Sequence, residues 1–236
     1  MRDLMTFPYK LIDLTHTLEA SIPTWNGGCG FNHDLHIDYA DCDGEDKFRV
    51  MKMSMHAGIG THMDAPSHCI QGGKCIHDFD VDDLCMPCVV IDISDKCHVL
   101  YSMVPEDITD FESKYGPMAK GSCVMVKTGW SKFWTEPEKY RNNHIFPSIS
   151  PEAANLFLER GVSAIGIDTL SPDRPEDGFK VHQIFLGAGK ILIENVANLD
   201  SMPPVGGFIM VLPIKIKDGT EAPVRLIGLI ESKNEV

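Results

Sequence analysis

The chain has 236 residues, of which 43% are hydrophobic and 23% charged, and carries a formal net charge of −13. That is enough apolar material for one sizeable core, so a single domain over residues 1–236 is expected. The acidic excess excludes a nucleic-acid or anionic-membrane surface, no apolar run reaches the length of a membrane span, and residues 1–10 lack the apolar region of a secretory signal, which makes a cytoplasmic protein the expectation.

Residues 11–15 open the chain as a short strand. Residues 18–28 form an irregular loop carrying Trp25, an aromatic suited either to local packing or to the wall of a substrate pocket. Alternation predicts strands over 33–39 and 48–55, joined by an acidic, solvated tip at 40–47 that lacks EF-hand spacing. Residues 56–68 read as a rigid loop, because Gly58, Gly60 and Pro66 interrupt any regular element. Loop and turn continue over 74–84, and 88–93 is a buried strand. Pro105 and Gly116 bound a helix over 105–115.

Residues 122–127 form another buried strand, and 131–141 are helical or irregular with Pro137 interrupting. The clearest helix covers 151–160: Ser150 caps it, Pro151 occupies its first position, Glu152 faces the positive helix end and Gly161 closes it. A strand over 163–168 follows at once and ends in a carboxylate. After a Pro- and Asp-rich loop at 171–180, a strand over 190–195 again ends in a carboxylate. Two β-rich runs, 207–217 and 224–230, complete the chain. The eight cysteines read as free thiols, those in 88–91 and 123–126 as buried ones; Cys85 and Cys88 form a lone Cys-x-x-Cys that runs straight into a strand and is structural. The pattern predicts an α/β domain with a mixed β-sheet core, an additional β-layer and flanking helices. Ligands in such sheets collect where strands end.

Residues 56–68 concentrate the chemistry: His-Ala-Gly-Ile-Gly-Thr-His-Met-Asp-Ala-Pro-Ser-His. Neutral imidazole and carboxylate are the preferred donors for Zn²⁺ and similar divalent ions, and His62, Asp64 and His68 alternate with small residues between apolar runs. His182, after the Pro/Asp loop, and Glu194, at a strand end, are unremarkable when taken singly.

Residues 60–68, Gly-Thr-His-Met-Asp-Ala-Pro-Ser-His, resemble the signature of the cyclase-type metal-dependent hydrolases, the family of bacterial kynurenine formamidase and isatin hydrolase. The later His182 with Leu186-Gly187, Glu194-Asn195, the loop Ile22-Pro-Thr-Trp25 and the strand end Asp168-Thr-Leu-Ser171 extend the resemblance over most of the chain. It implies a swivelling β/β/α-like fold, with His62 and Asp64 as metal ligands, Asp64 able to bridge two ions, and His182 and Glu194 completing one or two Zn²⁺ or Mn²⁺ sites. His68 is then the proton carrier and Trp25 a substrate contact. The family's first ligand lies four residues before His62, where this chain has Gly58. Either a two-residue bulge at Ile59-Gly60 restores His56 to that role, which is the expectation, or the ligand is lost and the metal site is differently built.

The resemblance implies a metal-dependent hydrolase that cleaves a C–N amide bond of a small aromatic or cyclic amide by metal-activated water. The alternatives are a ring-opening hydrolase of the isatin or lactone type and a non-catalytic metal-binding family member. The implied partners are a small-molecule substrate and a second copy of the chain, as a dimer or higher oligomer, whose neighbouring subunit completes the Trp25 loop.

Overall fold

The computed structural model describes residues 7–232. Its strands in chain order are β1 (Tyr9–Asp13), β2 (Phe31–Ile37), β3 (Val50–Met55), β4 (His62–Asp64), β5 (Cys85–Asp92), β6 (Ser102–Met103), β7 (Cys123–Lys127), β8 (Ser148–Ile149), β9 (Ala164–Ile167), β10 (Ile191–Glu194), β11 (Gly207–Pro213) and β12 (Glu221–Glu231). The α-helices are α1 (Pro105–Tyr115), α2 (Pro137–Arg141), α3 (Pro151–Glu159) and α4 (Lys180–Gly187).

The longest apolar runs fall on β5, β7, β9 and β10, which lie parallel and side by side. Parallel strands are covered on both faces and so need no polar alternation. Cys88, Val90, Cys123 and Met125 point into one core, and the intervening Val89, Ile91, Val124 and Val126 into another. The outer core lies beneath α1, α3 and α4, whose Phe111, Phe157 and Phe185 pack onto it. Burying each ring contributes on the order of 2–3 kcal/mol.

Antiparallel strands complete the mixed sheet. β11 joins β5 to β12, and β12 pairs with β4, which returns to β10. The sheet therefore closes on itself as a barrel-like layer, with β1 added along the far half of β12. β2 and β3 form a separate antiparallel ribbon, the additional β-layer of the sequence-based expectation.

Local chemistry explains most boundaries. The Ser150 hydroxyl accepts the Ala153 N–H at 3.1 Å and starts α3 as expected. Pro137 interrupts the 131–141 stretch as expected: a single helical turn at Trp130–Phe133 ends before it, and Pro137 occupies the first turn of α2, where its missing N–H costs nothing. All eight cysteines are free thiols, and Cys88 and Cys123 are buried. No helix among the described residues is long and apolar enough to cross a membrane.

Two departures bear on the site. The supposed loop at 56–68 contains β4, a strand at the barrel's closing seam. The segment around His182 is helical: α4 starts from Phe179, a non-glycine residue in the left-handed region with φ 53°, and has no local N-cap side chain. Asp173, on the preceding loop, caps it instead by accepting the N–H groups of Val181 and His182, both at 2.9 Å.

Candidate metal centre

Strand geometry explains why His62 and Asp64 act together. Side chains two apart on a strand share a face, so both stand on the outer face of β4 while Met63 between them enters the barrel core. Antiparallel pairing places Glu194 of β10 directly opposite His62 and Glu221 of β12 directly opposite Asp64. Directly paired residues lie side by side on one face. α4 packs above and supplies His182.

The four buried groups interlock. His62 Nε2 lies 3.5 Å from Asp64 Oδ1 and 3.3 Å from Glu194 Oε2. His182 Nε2 lies 3.6 Å from Asp64 Oδ2 and 3.5 Å from Glu194 Oε1. Each carboxylate thus spans both imidazoles. The other ring nitrogens are engaged: His62 Nδ1–H donates to the Gly60 carbonyl at 2.9 Å, and His182 Nδ1–H donates to Asp173 Oδ2 at 2.7 Å. Such outer bonds fix the tautomer and turn both Nε2 lone pairs inward.

This arrangement suits a cation. Asp64 Oδ1 and Glu194 Oε1 are buried without a hydrogen-bond partner, and buried charges demand compensation. Burial alone lowers the His62 pKa, yet the Glu194 and Asp64 carboxylates outweigh it and raise it to about 10. His182 is raised well above its ordinary value against the same burial penalty, by Asp173, Asp64 and Glu194. Burial and the adjacent Asp64 charge push the Glu194 carboxyl up. The cluster therefore holds positive charge strongly, whether as protons or as a divalent ion. Imidazole and carboxylate donors fit Zn²⁺, Mn²⁺ or Fe²⁺. Two overlapping donor sets, His62–Asp64–Glu194 and Asp64–His68–His182, share Asp64.

The centre floors a cavity of about 440 Å³ walled by Trp25, Leu170 and Phe179. Trp25 is held by stacking on His144, with ring centroids 4.1 Å apart, and by His144 Nε2 against its carbonyl at 2.8 Å. His68 stands at the rim, its ring 5.9 Å from that of His182 and its Nδ1 3.6 Å from Glu221 Oε2.

Of the residues expected from sequence, His62, Asp64, His68, His182, Glu194 and Trp25 all line this cavity. His56 does not. It is solvent-exposed, and its N–H donates to the Gly30 carbonyl at 2.9 Å beside the β2–β3 ribbon. The bulge expected to bring it inward does not form, because Ile59 between them is itself buried in a small core with Ile22 and Phe31. Gly58, not His56, faces His62 Nε2. Sequence reasoning missed Asp173, Phe179 and Glu221. Asp173 was hidden in an acidic loop, Phe179 carries no polar chemistry, and only the β12–β4 register reveals Glu221.

A family model described as putative cyclase matches residues 12–174. The chain belongs to the cyclase family. The match ends before His182, Glu194 and Glu221, which in this chain α4, β10 and β12 bring to β4. Among curated relatives, kynurenine formamidase of Bacillus cereus is 26% identical over 217 residues, covering 92% of this chain and 95% of that protein. Isatin hydrolase of Roseibium aggregatum is 28% identical over 186 residues, covering 72% and 71%. The solved structure of isatin hydrolase A from Ralstonia solanacearum superposes with a TM-score of 0.86 at 27% identity, covering 94% of this chain and 92% of that one. A second isatin hydrolase A, from Labrenzia aggregata and bound to benzyl benzoate, gives a TM-score of 0.84 at 27% identity, covering 95% of each chain.

Proposed function

We propose that this cyclase-family chain is a metal-dependent amidohydrolase that opens a C–N bond in a small aromatic or cyclic amide. The observation that carries this reading is the buried ring of His62, Asp64, His182 and Glu194, with two inward imidazole nitrogens and two partnerless carboxylate oxygens beneath an aromatic-walled cavity. The names of the relatives, a formamidase and an isatin hydrolase, are compatible with it.

His62, Asp64, His182 and Glu194 would hold the ion or ions, Zn²⁺ or Mn²⁺, around the shared Asp64, leaving His68 free for proton transfer. A divalent ion held there lowers the pKa of water from ~15.7 toward ~7 and offsets charge developing on a carbonyl oxygen. The chain's own residues do the rest. Trp25, Phe179 and Leu170 stack on and enclose the apolar body of the substrate, which excludes water and fixes the carbonyl over the carboxylate floor. His68, at the solvent edge, takes a proton from the attacking water and delivers it to the departing nitrogen.

No lysine or arginine lines the cavity among the described residues. An anionic group on the substrate would therefore be met by the metal ions and not by a lysine or arginine. The test is a hydrolysis screen of formanilides, lactams, cyclic imides and lactones with the Zn²⁺- or Mn²⁺-loaded chain. Turnover of a formanilide, lactam or cyclic imide, abolished by a chelator, supports the reading. Turnover of lactones alone moves the reaction to C–O bonds. A metal-loaded chain inert toward every compound leaves a metal-binding protein without this activity.

A further inference from the structure

Position 58 is a glycine, and the space a side chain there would occupy is already filled. A Cβ at Gly58 would lie 2.3 Å from Glu221 Oε2 and 3.3 Å from His62 Nε2. The Glu221 carboxylate therefore reaches, from another strand, the spot beside His62 that a longer residue at 58 would claim. The β12–β4 register is what delivers it, since Glu221 pairs directly with Asp64 and shares its face. Its side chain is 23% exposed, and the imidazole nearest to it, His68 Nδ1, stands 3.6 Å away, beyond hydrogen-bond range. No lysine or arginine lines the cavity among the described residues, and three carboxylates, Asp64, Glu194 and Glu221, line it, Glu221 standing just outside the two donor sets that share Asp64.

We propose that Glu221 is a metal ligand of this centre, supplying a carboxylate from β12 in the place that the cyclase signature gives to a histidine at position 58. The proposal rests on the metal-centre reading above. It turns the departure at Gly58 from a lost ligand into an exchanged one. Replacing an imidazole by a carboxylate adds one negative charge and makes the donor set two imidazoles and three carboxylates. Oxygen-rich sets suit harder ions, so the centre retains Mn²⁺ against Zn²⁺ better than a histidine-richer one. It also accounts for the glycine: a side chain at 58 would have to displace the Glu221 carboxylate from its present position.

The test is metal binding, independent of turnover. The chain is stripped with a chelator and titrated with Mn²⁺ and Zn²⁺ separately by calorimetry, and the ions retained from an equimolar mixture are counted by elemental analysis. Glu221→Gln keeps the shape of the side chain and removes its charge. It is expected to weaken Mn²⁺ binding by more than the ~10–100-fold that loss of an outer-shell partner costs. The exchange G58H/E221G is expected to bind metal again and to shift the retained ion toward Zn²⁺. Circular dichroism confirms that each variant is folded; if the exchange variant does not fold, Glu221→Gln decides alone. Glu221→Gln with wild-type affinity for both ions overturns the proposal and leaves the hydrolase reading intact, with Glu221 reduced to a neighbour of His68. A folded exchange variant that binds no better than Glu221→Gln overturns the exchange. A wild-type chain that binds neither ion overturns both the proposal and the reading beneath it.

Discussion

Asp173 does three things with one carboxylate: it accepts the N–H groups of Val181 and His182 and the Nδ1–H of His182. Asp173→Ala should therefore weaken metal retention by ~10–100-fold, as loss of a ligand's outer partner does, and lower stability by about 1–2 kcal/mol through the lost cap. Elemental analysis and thermal unfolding on the same sample check both effects. His68→Ala is expected to behave differently, keeping its metal while turnover falls by ~10²–10⁴-fold; unchanged turnover would remove His68 from proton transfer. Away from the site, His16 stacks on Trp134 with centroids 3.8 Å apart and buries a partnerless Nε2, and burial lowers its pKa from 6.5 to about 4. The unfolded chain takes up a proton at His16 below about 6.5 that the folded chain refuses until about 4. Stability contributed by neutral His16 is thus lost progressively as pH falls through that window. His16→Phe, which keeps the stack, should flatten this part of the stability–pH curve measured by urea unfolding, and an identical slope would refute the assignment.

At the scale of elements, what was legible in sequence depended on whether the cause was local. α1 and α3 carry their own start and stop residues, and the parallel strands carry their own apolar runs, so composition alone located them. α4 was missed because its cap comes from Asp173 at a distance. β4 was missed because glycines and a proline flank a strand whose pairing partners, β10 and β12, lie more than a hundred residues away. The site divided along the same line. The alternation of His62 and Asp64 is a strand signature masked by the glycines and proline around it, whereas the approach of Glu221 to Gly58 exists only in the register. The strands also make a packing prediction. Gly166 of β9 pairs with Met125 of β7, and a Cβ there would meet the Met125 sulfur at 2.2 Å. Because Met125 is fully buried, Gly166→Ala should overpack the barrel and destabilise it by about 1–3 kcal/mol in denaturant titrations.

Across the whole molecule, closing the sheet is what creates the centre. β4 sits between β10 and β12 at the seam, so donors from the first third and the last quarter of the chain meet only once the barrel has formed. The seam also ties metal to stability. Asp64 and Glu194 are buried like charges joined to opposite sides of it, so an ion bound there should stabilise the fold by about 2.7 kcal/mol at a hundredfold excess over its Kd. The most direct test is the metal content of the purified chain, measured with its melting temperature before and after chelation. One or two divalent ions per chain are expected, lost together with several degrees of melting temperature on chelation and not retained by a Glu194→Ala variant. A chain that takes up no divalent ion from micromolar solution, with a melting temperature indifferent to chelator, would contradict this expectation.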